Sequence, residues 1–384
     1  MLSCQRDLFS LPDSLHYLNC AYVAPLLKSV EAAGTEGMLR LRNPTGITAD
    51  DWFAPEDHLR ALVGRLVNAP AERVALIPSV SYGIAIAARN LELRPGQNVV
   101  MPGEEFPSNV YSWMDKCRQI GAELRMVPRP PAGPQAGRAW NEKLLEAIDG
   151  NTAVVCLTEL HWTDGTRFDL GSIGDRAREV GAAFLVDGTQ SVGAAPFDFR
   201  ATRPDLLVSA SYKWCFGPYG FAFAVLGDRL LEGQPLEMTW TGRKGSEDFA
   251  NLINYTEELR PGADRFDAGE RASPILVPML ATALTQLLEW GVNNIQEYCD
   301  ALVSELEMAL GETEYAIAPR EERAAHMFGI RVPDPSRLDR VMVELKKRDV
   351  HVSVRGASLR VSPHLYNRPE DMAALAEALM AARG

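Results

Sequence analysis

Short apolar, β-branched runs alternate with stretches of helical periodicity from about residue 70 to about residue 230, the pattern of a mostly parallel sheet covered by helices on both faces. The runs predict strands at Arg73–Ile77, Asn98–Met101, Glu123–Val127, Ala153–Leu157, Ala183–Val186, Leu206–Ser209 and Phe221–Leu226. Right-handed crossovers are expected between parallel strands, and ligands in such α/β sheets bind outside the carboxyl ends of the strands. Beyond about residue 265 the pattern changes to a smaller α+β unit. It predicts a long helical stretch from Pro274 to Ala309, a strand at Met327–Val332 and an amphipathic segment from Pro335 to Lys347. A strand pair around His351–Val361 and a final helix from Pro369 to Arg383 follow. The expected organisation is an N-terminal segment over 1–20 packed with the small domain, a large domain over 21–264, and a connecting helix with the small domain over 265–384. In Pro128-Arg129-Pro130-Pro131-Ala132-Gly133-Pro134 four prolines remove backbone donors and fix φ, which predicts a surface loop without chemistry.

The 384 residues are 46% hydrophobic and 23% charged, enough to bury a substantial core. A formal net charge of −12 argues against nucleic acid or an anionic membrane surface as partner. Six cysteines, Cys4, Cys20, Cys117, Cys156, Cys215 and Cys299, are scattered with no CxxC pair and no His/Cys cluster. Neither a metal site nor a disulfide framework is expected, and free thiols in a reducing compartment are. The opening residues lack the basic and then apolar run of a secretory signal, and no run approaches the ~20 apolar residues that span a bilayer. The expected location is the cytoplasm.

Two strand ends carry the chemistry. Ala183-Phe184-Leu185-Val186 delivers Asp187, and Leu206-Leu207-Val208-Ser209-Ala210 leads to Lys213 and the turn Gly217-Pro218-Tyr219-Gly220. Taken singly, such an Asp is a turn or capping residue and such a Lys a surface charge. Together they form the layout a pyridoxal phosphate enzyme needs, an amine to condense with the cofactor aldehyde and a carboxylate to pair with the pyridinium nitrogen. Gln190 adds a polar group placed to reach the ring hydroxyl.

Arg73–Ile77 runs into Pro78-Ser79-Val80-Ser81-Tyr82-Gly83 and then a helix, where free N–H groups and the positive dipole end converge as for a phosphate. Ser81 would add its hydroxyl. Phe106, in Glu105-Phe106-Pro107-Ser108-Asn109 after the next strand, is placed to stack on a pyridine ring. His161, in Thr158-Glu159-Leu160-His161-Trp162-Thr163-Asp164-Gly165, is the imidazole at a strand end best placed for proton transfer.

These residues, in this order, resemble the class V aminotransferase family of fold-type I pyridoxal phosphate enzymes, which includes cysteine desulfurases, kynureninases and isopenicillin N epimerase-like proteins. The likeness runs from Tyr17-Leu18-Asn19-Cys20-Ala21 to Arg360-Val361-Ser362-Pro363-His364-Leu365-Tyr366-Asn367. Its most specific part is Val186-Asp187-Gly188-Thr189-Gln190 followed by Ser211-Tyr212-Lys213-Trp214 and Gly217-Pro218. The resemblance implies a Schiff base at Lys213, Asp187 on the pyridinium nitrogen, Gln190 on the ring oxygen, and Val80, Ser81, Ser211 and Tyr212 in the cofactor site. It also implies a substrate carboxylate on Arg360, with Arg355, Asn19 and Trp240 completing the substrate side. Arg265-Phe266-Asp267-Ala268-Gly269-Glu270-Arg271 resembles the segment that members send across a homodimer interface toward the partner's phosphate. Glu270 stands where many members place threonine, leaving Arg271 as the cation there. The desulfurases' ring-stacking His lies six residues before the glycine matching Gly165; that place holds Glu159 here, so stacking falls to Phe106.

Desulfurases carry a cysteine-bearing loop between the two arginines. Only Gly356-Ala357-Ser358-Leu359 separates Arg355 from Arg360 here, and no cysteine follows Cys299. A persulfide-forming desulfurase is therefore disfavoured. The expected activity is transamination of an α-amino acid with pyridoxal phosphate in a homodimer, with a carbon–sulfur or carbon–carbon lyase or an epimerase as alternatives and a non-catalytic cofactor-binding protein last.

Overall fold

The computed structural model describes residues 2–133, 135–311 and 313–383. In chain order the strands are β1 (His16–Tyr17), β2 (Val74–Ile77), β3 (Asn98–Pro102), β4 (Glu123–Val127), β5 (Thr152–Thr158), β6 (Ala183–Asp187), β7 (Leu206–Ala210) and β8 (Ala222–Leu226). The smaller unit adds β9 (Ala316–Ile317), β10 (Phe328–Arg331), β11 (Val350–His351), β12 (Ser353–Arg355) and β13 (Ser358–Val361).

β2 to β8 form one seven-stranded sheet in the order β2-β8-β7-β6-β5-β3-β4. Its pairings are parallel except those of β8, which runs antiparallel to both β2 and β7. The sheet expected from the apolar runs is the sheet observed, with every strand within one residue of its predicted ends. The runs are apolar throughout because both faces are covered. Alternate residues go to different cores, Leu157, Val186 and Leu207 to one and Cys156, Leu185 and Val208 to the other.

The stretch predicted as one helix over Pro274–Ala309 is two, Leu276–Trp290 and Val292–Leu310. Gly291, at φ 75°, separates them in a conformation that side chains with a Cβ rarely adopt. In the smaller unit β9, β10, β12 and β13 make an antiparallel sheet ordered β12-β13-β10-β9. The N-terminal segment joins this end of the chain: β1 pairs in parallel with β11, and the Gln5 N–H donates to the Leu365 carbonyl at 2.7 Å. No helix among the described residues is long and apolar enough to cross a membrane.

Candidate active site

The chain crosses from β3 and β4 on one side of the large sheet to β5, β6 and β7 on the other, so the strand order reverses between β3 and β5. A cavity of about 280 Å³ opens at that switch point, where doubly wound sheets place their ligands. It is lined from the carboxyl ends of successive strands by Glu105, Phe106, Thr158, Asp187, Thr189, Gln190, Tyr212 and Lys213. Pro78 to Ser81 close one end and Trp162 another part of the wall.

Lys213 is 7% exposed and Asp187 6%, so neither is a surface charge. Burial, followed by the nearby Arg360, pulls the Lys213 ammonium down to about 8, against the opposing pull of Asp187. Burial likewise pushes the Asp187 carboxyl above its usual range, opposed by Thr189, whose backbone N–H donates to Oδ1 at 2.9 Å. The amine is thereby biased toward its neutral, nucleophilic form. Lys213 Nζ lies 5.8 Å from the centroid of the Phe106 ring and 5.6 Å from that of Tyr212.

At one end of the cavity the helix Val80–Asn90 begins. Ser79 caps it, accepting from the Tyr82 N–H at 3.2 Å, and its Oγ lies 2.9 Å from that of Ser81. Val80 and Ser81 thus stand in the first turn, facing the cavity with unpaired backbone donors and the positive dipole end. Gly83 lets this helix sit close on the sheet: a Cβ there would meet Val208 Cγ1 at 2.5 Å. Gln190 is anchored from two sides. Trp214 donates its indole N–H to Gln190 Oε1 at 3.0 Å, and His326 Nε2 lies 2.8 Å from the Gln190 carbonyl oxygen.

Glu105 is buried and accepts from the backbone N–H groups of Phe106 at 2.7 Å and Thr158 at 3.3 Å, tying together the segments that follow β3 and end β5. Burial pushes its carboxyl up to about 8. Its role was not read from the sequence; an acid beside an aromatic at the end of an apolar strand is the available signal. Trp162 packs edge-on against Phe106 with centroids 5.6 Å apart.

Behind Trp162, Arg360 is 2% exposed and donates to the Trp162 carbonyl at 2.7 Å and the Ser353 hydroxyl at 3.4 Å. Ser353 in turn donates to Asn19 Oδ1 at 2.8 Å, so Asn19 reaches Arg360 through a hydroxyl. Burial pulls Arg360 down to about 10 with help from Arg355, whose guanidinium lies over the Trp162 ring at 5.4 Å.

Arg360, Arg355 and Asn19 stand behind Trp162 and do not line the cavity themselves, and four further expected site residues stand elsewhere. His161 is fully buried with both ring nitrogens engaged, Nδ1 with Arg129 at 2.9 Å and Thr163 at 2.7 Å, Nε2 with the Gly103 carbonyl at 3.3 Å. Burial and Arg129 pull it down to about 4, and it does not line the cavity in which a proton carrier was expected. The proline-rich loop is correspondingly less idle than expected, because its Arg129 also pairs with Glu104 and Asp164 and lies over Trp140. Ser211 spends its hydroxyl on the Pro218 and Phe221 carbonyls, at 2.8 and 2.7 Å, and fixes the turn after Lys213 instead of lining the cavity. Arg271 pairs with buried Asp267, which Arg60 also grips, and does not reach this chain's cavity. Trp240 belongs to an aromatic cluster with Trp52, Phe53 and Phe249 and walls no part of it. Glu159 turns away from the cavity into a separate cleft with Arg167.

The cavity fits an aromatic ring bearing a phosphate. A volume of about 150 Å³ already admits benzene, and here more space is joined to a helix N-terminus, a buried amine and a buried carboxylate. A buried lysine with no acidic partner within ion-pairing distance among the described residues is costly unless a ligand takes up the amine.

Residues 55–375 match the aminotransferase class-V family, and the chain belongs to it. Its cofactor is pyridoxal phosphate, and it is an enzyme. Two relatives have been given different names. An uncharacterized aminotransferase of Bacillus subtilis is 27% identical over 80% of this chain and 78% of its own. A probable cysteine desulfurase of Methanothermobacter thermautotrophicus is 27% identical over 98% of this chain and 96% of its own. Among solved structures, a cystine C–S lyase in complex with its product cysteine persulfide superposes with a TM-score of 0.83 at 18% identity, over 97% of this chain and 98% of that one. The shared backbone at that identity is the fold-type I architecture.

Proposed function

We propose that this chain is an aminotransferase that takes an α-amino acid, holds its carboxylate on Arg360 and moves the Cα proton with Lys213. The observation that carries the reading is Arg360 itself: a buried guanidinium beside the reactive lysine, hydrogen-bonded only to neutral acceptors and facing no carboxylate among the described residues. Such a charge calls for an anionic ligand, and a planar fork grips a carboxylate with two parallel hydrogen bonds.

The bound pyridoxal phosphate supplies an aldehyde and an electron-accepting ring. Lys213 Nζ would hold its aldehyde carbon, Asp187 its ring nitrogen, Gln190 Nε2 its ring oxygen, and Val80, Ser81 and Tyr212 its phosphate, with Phe106 against the ring face. With cofactor and substrate bound, Lys213 would serve as the base toward the Cα proton, and its lowered affinity for protons suits a shuttle that takes a proton and returns it. Glu105 is committed to two backbone donors and Asp187 to the cofactor, which leaves Lys213 as the mobile base.

Desulfuration is disfavoured by the thiols. β12 and β13 are joined through Gly356-Ala357 with no room for a cysteine loop, and Cys20, the thiol near Lys213, is fully buried and pushed up to about 12. Persulfide formation needs an exposed thiolate. We also read the chain as a homodimer in the cytoplasm. Leu41, Trp240 and Phe249 are exposed apolar side chains beside Trp52, a surface that a second copy would cover.

The test is a panel of α-amino acids offered to the cofactor-loaded enzyme with a 2-oxo acid acceptor, products identified by mass. A new amino acid appearing in step with a new 2-oxo acid supports transfer. Pyruvate, sulfide or a cleaved side chain without an acceptor replaces the reading with a lyase, and an inverted substrate with an epimerase. Lys213→Ala should abolish every one of these while the protein stays folded.

A further inference from the structure

The hairpin of β12 and β13 presents two arginines on one face. Arg360 stands opposite Ser353, and Arg355 is two residues along the strand from Ser353, so the guanidiniums are diagonal neighbours. Like charges in that relation repel, and the Nε of each is buried without a partner. In a chain of net charge −12 neither meets a carboxylate among the described residues: Arg360 donates to the Trp162 carbonyl and Ser353, and Arg355 to the Val354 carbonyl at 2.7 Å.

Trp162 links the pair to the cavity. It lines the wall, its carbonyl receives Arg360, and its ring face carries Arg355. A guanidinium over an indole face can keep its edge donors available for a planar acceptor. One α-carboxylate neutralises one of these cations. The other still lacks a counter-charge, and a second carboxylate on the same small molecule would supply it.

We propose that the site takes a dicarboxylate, the α-carboxylate on Arg360 and a distal carboxylate on Arg355, so that the substrate or the amino acceptor belongs to the glutamate and 2-oxoglutarate class. This rests on the α-carboxylate reading of Arg360 given above. Arg355 is the specificity-determining residue in it, separating dicarboxylates from apolar acids of the same length.

The test is equilibrium binding of two unreactive acids to the cofactor-loaded enzyme by titration calorimetry, glutarate against pentanoate. Glutarate should bind at least about tenfold more tightly, the scale of one charge-assisted hydrogen-bonded pair. Arg355→Gln should erase the difference by weakening glutarate alone, and Arg355→Lys, which keeps the charge without the fork, should restore part of it. Equal binding of the two acids to the unaltered enzyme overturns the proposal. So does an Arg355→Gln variant that weakens both acids alike, since Arg355 would then share the single carboxylate with Arg360. Failure of the underlying reading looks different: Arg360→Gln would leave both acids bound as before.

Discussion

The indole N–H of Trp214 donates to Oε1 of Gln190 at 3.0 Å, one residue after the reactive lysine. An indole nitrogen is a donor only, so this bond fixes which end of the amide is oxygen and leaves Nε2, with its two donors, as the end available to an acceptor in the cavity. Nε2 itself makes only a long contact, 3.4 Å to the Ala21 carbonyl. Trp214 is therefore a positioning residue for Gln190.

Trp214→Phe keeps an aromatic of similar shape but removes the donor, freeing the Gln190 amide to turn over. Leaving a buried acceptor unpaired costs about 1–3 kcal/mol, so pyridoxal phosphate should bind up to roughly 150-fold more weakly. The visible band of the bound cofactor should also shift, because its ring oxygen loses a donor. An unchanged band and dissociation constant would remove Trp214 from this role.

Lys213 should set the pH dependence of cofactor uptake. Only the neutral amine attacks an aldehyde, and burial with Arg360 holds this amine down at about 8, well below the ~10.4 of a free lysine. Uptake of pyridoxal phosphate by the cofactor-free protein, followed by absorbance, should accelerate as pH rises and level off above about 8. Arg360→Gln deletes a positive neighbour that disfavours the ammonium, so the midpoint should move upward. A midpoint that stays put in that variant would mean the two charges do not communicate.

Thiol chemistry should be irrelevant to turnover. Cys20, Cys117, Cys156, Cys215 and Cys299 are buried, and burial pushes each thiol upward, while Cys4 is half-buried far along the chain from the lysine. Brief treatment of the folded enzyme with iodoacetamide at neutral pH should label Cys4 alone and leave activity within about twofold, since the reactive form is the thiolate. Inactivation in step with labelling of a second cysteine would reopen the desulfurase reading.

The sequence made the sheet legible because its strands are buried on both faces, which leaves uninterrupted apolar runs bounded by glycine, proline and serine. Lys213, Asp187, Gln190 and Phe106 could be found because a doubly wound sheet delivers its functional groups at strand ends, and the cavity collects all four. What could not be read was direction. His161 and Ser211 also follow strands, yet one side chain turns into Arg129 and the other into the Pro218 carbonyl, choices made by partners distant in sequence or by a tight turn. Arg271 was placed by resemblance to an interface segment and Trp240 on the substrate side, and in one chain they belong to the Asp267 and Trp52 clusters. The lysine-flanking Trp214 gave no polar signal, because its contribution is a single N–H whose acceptor lies 24 residues away.

Acid stability should depend on His364. It is fully buried, neither ring nitrogen has a partner, and Phe216, Trp214 and Tyr366 surround it. Burial, reinforced by His326, pulls it down to about 3. Its folded-state value is depressed below the ~6.5 of the unfolded chain, so the stability of the neutral form is complete above about 6.5 and is lost progressively as pH falls toward 3. Between pH 7 and pH 5 the loss from this one residue is about 2 kcal/mol. His161 and His326, each held at about 4, act in the same direction, while burial raises Glu105 and Glu159 and gives them the opposite sign. The net slope is thus a sum of opposing terms, and a substitution isolates one of them. His364→Phe replaces an unsatisfied imidazole with an apolar ring and removes its titration. Its urea midpoint, relative to that of the unaltered protein, should be higher at pH 5 than at pH 7 by an amount equivalent to that 2 kcal/mol. A parallel pair of pH profiles would show that His364 is hydrogen-bonded or solvated in the folded state.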